Sequence, residues 1–262
     1  MVDPGNSQST GTDSSFMKSV ISHLITAEKW PSSAPVLPRL QAHRGYWQGG
    51  AQENTLEAFR AAKQMGALMF ECDVQLSKDQ IPVIVHDQDL KRIADNSTQV
   101  KDLTAAELFK RAKVPSLEQV LRDPNIPRSI NVELKSKLAV DDPLERKVSR
   151  VVQKCNAENR LIFSSFNPMS LFRMSLHLPK VPRALLVTQQ DDPDNGFILK
   201  KMLLAPLLRL HLLHLDYRDI GEEDLKKWRM RKVPISVWTV NNPDDIQKYL
   251  RWGALSVITD TL

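Results

Sequence analysis

The sequence predicts an α/β barrel in which eight parallel strands alternate with helices. Short β-rich runs alternate with segments of helical periodicity from about residue 39 onwards, a pattern typical of a parallel sheet. The 262 residues suit one closed barrel of roughly 250 residues. The composition, 42% hydrophobic and 26% charged, is that of a globular domain with a sizeable core.

Nine segments have the composition of strands, one more than an eightfold barrel needs. The connection between the second and third segments, from Gln75 to Ile81, is too short for a crossover helix, so these two strands must form a hairpin. Centring its turn on Asp79 pairs position 73 with position 85, and the returning arm counts as an excursion from strand two. The nine segments are residues 39–43, 69–75, 81–86, 129–135, 160–166, 183–188, 211–217, 234–240 and 255–259.

Segments of helical periodicity lie between most of these strands. Several begin with a helix-start signal, such as Asn54 or Thr55 before LEAF and the Asn242-Pro243 pair before DDIQKYL. The predicted helices are residues 54–66, 103–122 with a break at Pro115, 143–156, 168–178, 197–206, 222–232 and 243–252.

The chain divides into three predicted regions. Residues 1–16 are rich in Gly, Ser and Thr, and we expect them to be a disordered N-terminal extension. Residues 17–38 are expected to form an N-terminal helix and linker, and its part 17–30 is expected either to fill the place of the missing final helix or to plug the base of the barrel. Residues 39–262 are the predicted barrel domain.

Composition also limits the partners. The formal net charge of +5 is spread along the chain, which mildly favours anionic substrates and does not indicate nucleic acid. Cys72 and Cys155 have neither disulfide nor metal spacing, so we expect the cytoplasm, with the periplasm still open. No apolar run reaches the ~18 residues of a transmembrane segment, although peripheral membrane contact stays open. The oligomeric state is not predicted.

Residues able to carry chemistry lie at the ends of the predicted strands. His43 and Arg44 follow the first strand, where an imidazole that titrates near neutral pH and a planar cationic fork together suit a phosphate. Glu71 and Asp73 are two residues apart on the second strand and therefore share a face, whereas Cys72 faces the other way.

Further polar residues are expected on the same rim, where barrel active sites lie. Glu133 and Lys135 share a face, and the hairpin brings His86 beside Glu71 and Asp73. Because buried carboxylates repel one another unless a cation compensates, these hard oxygen ligands indicate Mg²⁺ or Ca²⁺. Taken alone, each of these motifs is more often explained by a hydrogen-bonded loop histidine, a solvated acid or a salt bridge. Their shared position at one rim favours a functional site.

These residues lie within motifs that resemble the glycerophosphodiester phosphodiesterase family over about residues 40 to 260. The motifs, in the family's order, are AHRG, ENTLEAF, ECDVQLSKDQIPVIVHD, VPSLEQVL, NVELK, SSF, VWTVN and VITD. The resemblance implies a phosphodiesterase-type TIM barrel that needs a divalent metal. The implied roles are metal ligation by Glu71, Asp73 and Glu133, catalysis by His43 and His86, phosphate binding by Arg44 and Lys135, and positioning of Arg44 by Glu53.

Some features leave alternatives open. Phe166 and Trp238 either line the substrate pocket or pack in the core, and the apolar run 202–215 is either a lipid-accepting wall or a helix and barrel strand. The segment after His86 is short, which predicts a reduced cap, and the third motif reads VHD where the family usually has two histidines.

We expect metal-dependent hydrolysis of small glycerophosphodiesters to glycerol 3-phosphate and an alcohol. The alternatives are a lysophospholipase D or sphingomyelinase-D-like activity on lipids, and a catalytically silent barrel that binds phospho-ligands. An intact pair of histidines favours the enzyme, because a binding protein needs no acid–base pair.

Overall fold

The structure is a computed structural model and describes residues 24–136, 143–190, 205 and 208–262. All nine predicted strands are present within these residues. The strands in chain order are β1 Leu40–Ala42, β2 Met69–Leu76, β3 Pro82–Ile84, β4 Asp89–Leu90, β5 Asn96–Gln99, β6 Ser129–Leu134, β7 Leu161–Ser165, β8 Arg183–Val187, β9 Leu212–Asp216, β10 Ile235–Trp238 and β11 Ser256–Thr259.

Eight parallel strands close into a barrel, which confirms the predicted fold class. Starting from β1, the neighbours are β2, β6, β7, β8, β9, β10 and β11, and β11 pairs with β1 again. Closure brings Ala42 of β1 beside Phe70 of β2. The first and last strands of the chain are therefore neighbours, with Ala42 also beside Thr259 of β11.

The hairpin between β2 and β3 has the predicted register. Val74 pairs with Ile84 and Leu76 with Pro82, antiparallel, so the turn is centred on Asp79. The next rung is the hydrogen bond that the backbone N–H of Val85 donates to the carbonyl of Asp73, at 2.9 Å. The returning arm therefore runs upward along β2 toward the carboxyl ends of the barrel strands.

Apart from the short helix Lys91–Ala94, the described helices lie within the predicted segments. The predicted break at Pro115 separates two helices, each beginning with a capping box, Thr104 with Glu107 and Ser116 with Gln119. The predicted helix 197–206 lies almost entirely outside the described residues. The helices are Leu56–Gln64, Lys91–Ala94, Ala105–Ala112, Leu117–Arg122, Pro143–Lys154, Pro168–His177, Glu222–Met230 and Pro243–Trp252.

A small ribbon between β3 and the helix Ala105–Ala112 was not predicted from the sequence. Strands β4 and β5 pair antiparallel on either side of the short helix Lys91–Ala94. The ribbon is held by a core of its own, in which Leu90 packs with Val83, Val85 and Val100. Its strands have only two and four residues, too few for a recognisable alternation.

Alternation along the strands divides the barrel into an apolar base and a polar upper part. At the base, Met69, Ile162, Ala184 and Leu212 form an interior cluster. Above them lies a chain of hydrogen-bonded polar side chains: Asn131 donates to Gln41 at 3.1 Å, Gln41 donates to Ser256 at 3.0 Å, and Ser164 donates to Asn131 at 2.9 Å. On β6, Glu133 lies two residues above Asn131, on the same face and toward the rim.

The described part of the N-terminal segment lies at the base of the barrel. Trp30 and Leu37 pack against the interior cluster at the base, and the backbone N–H of Glu28 donates to the carbonyl of Leu210 at 2.6 Å. Residues 25–30 are not helical, and most of the predicted helix, which begins at residue 17, lies outside the described residues. Residues 1–23, including the predicted disordered extension, lie outside the described residues. Within the described residues, no helix has the length and apolarity to cross a membrane.

Candidate active site

A tight turn after β1 places His43 and Arg44 at the top of the barrel. Arg44 and Gly45 adopt left-handed backbone, with φ of 57° and 85°. Gly45 lies so close to the first helix that an added Cβ would come within 2.8 Å of the carbonyl carbon of Ala58. Only glycine meets both requirements without strain. The Arg-Gly pair therefore sets the position of the Arg44 guanidinium.

Three carboxylates converge at the upper ends of β2 and β6. Glu71, Asp73 and Glu133 are buried, and one oxygen of each lies within 4.8 Å of the others. The register of the two strands sets Asp73 directly beside Glu133. Cys72 points the other way, into the core beneath the helices. The convergence predicted from alternation along β2 is confirmed.

Lys135 and Arg44 are the cations that face these acids. Lys135 Nζ is 3.1 Å from Asp73 Oδ1 and 2.6 Å from Glu133 Oε1. Arg44 Nε is 3.4 Å from Asp73 Oδ2. Burial opposes the charge of Lys135, but the two carboxylates outweigh burial and raise the pKa of the lysine. Burial also opposes ionisation of Asp73, yet Lys135 and Arg44 hold the pKa of this carboxyl well below its usual range.

Glu71 is the carboxylate that these cations do not balance. Burial, followed by repulsion from Asp73 and Glu133, raises the pKa of Glu71 well above its usual range. Its Oε2 accepts a hydrogen bond from the backbone N–H of Arg44 at 3.2 Å, whereas its Oε1 is buried without a hydrogen-bond partner among the described residues. A buried carboxylate oxygen that lacks a donor suits a hard cation. The donor set therefore fits a divalent metal.

His43 is oriented by Asp260, a residue for which no role was predicted from the sequence. Nδ1 of His43 is 2.7 Å from Asp260 Oδ1, and Nε2 is 3.9 Å from Glu71 Oε2. Asp260 also accepts hydrogen bonds from Asn241 Nδ2 at 2.6 Å and from Trp47 Nε1 at 3.3 Å. Burial disfavours its charge, but the hydrogen bond with His43 lowers the pKa of Asp260. The VITD motif could have indicated this role, because it ends at Asp260, directly after β11, and β11 is the strand beside β1.

His86 follows β3 on the returning arm of the hairpin, at the same rim. Its Nδ1 is 2.6 Å from Asp87 Oδ1. Gln75 fixes the local backbone, since its amide nitrogen donates to the carbonyls of Val85, His86 and Asp87 at 3.0, 2.8 and 2.8 Å. His86 also contributes to the low pKa of Asp73 by electrostatic attraction. This agrees with its predicted place beside the acids.

The ENT motif supplies support from the loop before the first helix. Glu53 Oε1 accepts a hydrogen bond from Arg44 Nη1 at 2.9 Å, which is the contact predicted for it. Asn54, predicted only as a possible helix-start residue, donates from Nδ2 to Asp73 Oδ2 at 2.8 Å. Thr55 caps the helix by accepting a hydrogen bond from the N–H of Ala58. One short loop thus holds a cation, an acid and a helix start.

Phe166, which follows β7, and Trp238, at the end of β10, meet at the rim. Their ring centroids are 5.6 Å apart and their planes are nearly perpendicular, at 85°. Trp238 Nε1 donates to the carbonyl of His214 at 2.9 Å, which fixes the indole. Both side chains are half-buried, so they present apolar surface at the top of the barrel as well as to each other.

A closed barrel whose rim joins three acids, two histidines and two cations defines a hydrolase of phosphate esters. Residues 43–262 match the glycerophosphoryl diester phosphodiesterase family. The chain belongs to this family, which confirms the predicted resemblance and the enzyme class, a phosphoric diester hydrolase.

Individual relatives are similar along most of their length. A glycerophosphodiester phosphodiesterase of Caldanaerobacter subterraneus is 29% identical and covers 84% of this chain and 92% of its own. A human lysophospholipase D is 30% identical and covers 84% of this chain and 82% of its own. The structure of an Oleispira antarctica phosphodiesterase in complex with the product sn-glycerol-3-phosphate has a TM-score of 0.73 and 25% identity, covering 86% of this chain and 93% of that one.

Proposed function

We propose that the protein hydrolyses glycerophosphodiesters to glycerol 3-phosphate and a free alcohol, with a divalent cation held by Glu71, Asp73 and Glu133. The observation that carries the proposal is the meeting of these acids with Arg44 and Lys135 on the barrel rim. The named relative and the complex with sn-glycerol-3-phosphate support the substrate class.

The carboxylates would bind the metal, and the cationic side chains would bind the phosphate. The all-oxygen ligand set suits Mg²⁺ or Ca²⁺, and when bound such a cation supplies Lewis-acid stabilisation of charge on the phosphate. Asp73 is held ionised by its neighbours, and Glu71 offers an oxygen that receives no hydrogen bond from the described part of the chain. Arg44 and Lys135, both charged and facing the acids, hold the nonbridging oxygens of the phosphate.

His43 and His86 carry out the proton transfers. The Nδ1 of each ring is engaged by a carboxylate, Asp260 and Asp87 respectively, so Nε2 is the atom that exchanges a proton with the substrate. One histidine accepts the proton of the attacking oxygen and the other protonates the departing alkoxide. The attacker is either water or a neighbouring hydroxyl of the substrate, which would give a cyclic phosphate, and the same pair serves both routes.

A second candidate activity, lysophospholipase D, is favoured by the human relative of that name. It requires an apolar wall for the acyl chain, for which the run 202–215 was the candidate. The described part of that run instead packs in the core, with Leu208, Leu210 and Leu213 buried. We therefore propose that the glycerol side of a deacylated diester occupies the corner formed by Phe166 and Trp238.

Partners and cellular location belong to the same proposal. We propose a small-molecule substrate, no nucleic-acid partner and a cytoplasmic location. The cysteines support a reducing compartment, since Cys72 and Cys155 are both free thiols.

The test compares glycerophosphocholine with lysophosphatidylcholine at the same metal concentration, below the micelle threshold of the lipid. We expect kcat/KM to be at least ~10-fold higher for the deacylated diester, an advantage of about 1.4 kcal/mol. Glycerol 3-phosphate and choline should appear together as products. Faster turnover of the lysolipid would contradict the proposed glycerophosphodiesterase activity and favour lysophospholipase D.

A further inference from the structure

We infer that Arg92 is a positioning residue that aligns the phosphate-binding arginine and the second histidine at the same time. Arg92 lies on the short helix Lys91–Ala94 of the ribbon. It contacts both Glu53 and Asp87, each of which holds one residue of the proposed machinery. The inference rests on the roles proposed above for Arg44 and His86.

The guanidinium of Arg92 joins two carboxylates with three hydrogen bonds. Its Nη1 donates to Glu53 Oε2 and its Nη2 donates to Glu53 Oε1, both at 2.7 Å. Its Nε donates to Asp87 Oδ2 at 2.6 Å. This use of the planar fork fixes the angle between the two carboxylates, which a single ammonium group cannot do.

Each of these two carboxylates, oriented by Arg92, also binds a residue of the proposed site. Glu53 Oε1 also accepts from Arg44 Nη1 at 2.9 Å. Asp87 Oδ1 is 2.6 Å from His86 Nδ1, while Oδ2 of the same carboxylate is bound by Arg92. A continuous chain of contacts therefore runs from the loop after β1 to the end of the hairpin, and Arg92 is its central link.

The charges agree with this arrangement. Burial alone would raise the pKa of Glu53, but hydrogen bonds from Arg92 and the charge of Arg44 lower it. Burial would likewise raise the pKa of Asp87, and its hydrogen bonds with His86 and Arg92 lower it. Both carboxylates are therefore held ionised, as acceptors of fixed orientation.

The backbone on either side of Arg92 is anchored in the core of the ribbon, which fixes the position from which its side chain extends. Leu90 is fully buried in the core of the ribbon, and Ile93 packs against that core. In contrast, the Arg92 side chain is 47% exposed, and ion pairs at such positions contribute little to stability, about 0–1 kcal/mol. If Arg92 contributed only to stability, its replacement would therefore leave activity unchanged. If Arg92 positions the site, its replacement lowers activity while the unfolding temperature stays the same.

The test compares Arg92→Gln with Arg92→Lys and with Lys91→Gln. Lys91 is the matched control, because it lies on the same helix and pairs with Asp95 away from the site. With saturating metal and glycerophosphocholine, we expect Arg92→Gln to raise KM and lower kcat, with a combined loss of about 10- to 100-fold in kcat/KM. Arg92→Lys should recover part of this loss, and Lys91→Gln should match the wild type. The midpoint of thermal unfolding should stay within about 2 °C of the wild type in all three.

Two double-mutant cycles separate the two arms. In a Glu53→Gln background, Arg92→Gln should no longer raise KM; in an Asp87→Asn background, it should no longer lower kcat. Equal effects of Arg92→Gln in both backgrounds and in the wild type would overturn the inference, as would unchanged kinetics of Arg92→Gln. A loss of activity that follows a loss of thermal stability would also contradict it.

Failure of the proposed function can be distinguished from failure of this inference. Wild-type turnover of glycerophosphocholine tests the function, and the Arg92 effect is measured relative to that rate. If the wild type is inactive, calorimetric titration of inorganic phosphate into the metal-loaded protein still reports on Arg44. Phosphate should then bind about 10-fold more weakly to Arg92→Gln than to Lys91→Gln, and equal binding would overturn the positioning role.

Discussion

The imidazole of His43 is bound through Nδ1 to Asp260 Oδ1 at 2.7 Å, so its Nε2 faces Glu71 and the other acids. Asp260 is at the end of β11, 217 residues further along the chain, and it reaches His43 because β11 pairs with β1 when the barrel closes. The contact sets both the tautomer and the orientation of the ring.

Replacing Asp260 with asparagine should therefore impair catalysis more than folding. Asp260→Asn removes the charge that favours one tautomer of His43, so we expect kcat to fall about 100-fold or more, with little change in thermal stability. The control is Asp244→Asn, which removes an exposed charge from the helix Pro243–Trp252. Steady-state kinetics of both variants check the prediction, and a kcat for Asp260→Asn within threefold of the control, roughly, would contradict it.

Among the glycines that the structure describes, Gly45 should be the one whose replacement destabilises the fold most. Gly45→Ala must accept a left-handed backbone and a 2.8 Å approach to the carbonyl carbon of Ala58. Gly66 is the matched control, since its φ of 86° is nearly the same but a Cβ there would meet open space. We expect Gly66→Ala to lose about 1–2 kcal/mol in the free energy of unfolding and Gly45→Ala to lose clearly more. Urea unfolding measures both, and equal losses would show that the close approach has no cost.

His214 should make the fold sensitive to acid. It is fully buried inside the barrel, and burial lowers its pKa from 6.5 to about 3. Between these two values the unfolded chain binds a proton that the folded chain does not, so this histidine lowers the stability as the pH falls from about 6.5 toward 3. His214→Leu removes the effect.

The measurement is the free energy of unfolding in urea at pH 7 and at pH 4.5. The loss of stability between these two values should be smaller in His214→Leu than in the wild type by about 2–3 kcal/mol. The same loss in both proteins would mean that His214 is already protonated, or is hydrated, in the folded state.

Much of the fold and part of the site could be predicted from local geometry. The length of the connection around Asp79 fixes the hairpin register, and the register carries His86 to the rim. Alternation with a period of two residues predicts that Glu71 and Asp73 converge while Cys72 turns away. These inferences need no knowledge of distant parts of the chain.

The contacts that the sequence did not predict join segments far apart in sequence. Asp260 reaches His43 only through barrel closure, and Arg92 reaches Glu53 across 39 residues through a ribbon with strands too short to recognise. His214 lies in the run LLHLD, in which leucines alternate between the barrel interior and the helices. The sequence shows that this strand is buried, but not which of its residues face inward.

The central claim is that hydrolysis requires a divalent cation at Glu71, Asp73 and Glu133. The direct measurement is the turnover of glycerophosphocholine after exhaustive dialysis against a chelator, before and after Mg²⁺ or Ca²⁺ is added back. We expect a loss of about 1000-fold that the cation restores, because the acids and the phosphate otherwise repel each other. The cation should also raise the unfolding temperature of the wild type but not that of Glu71→Gln, which should stay folded and inactive. Full activity in excess chelator, or in Glu71→Gln, would contradict the claim.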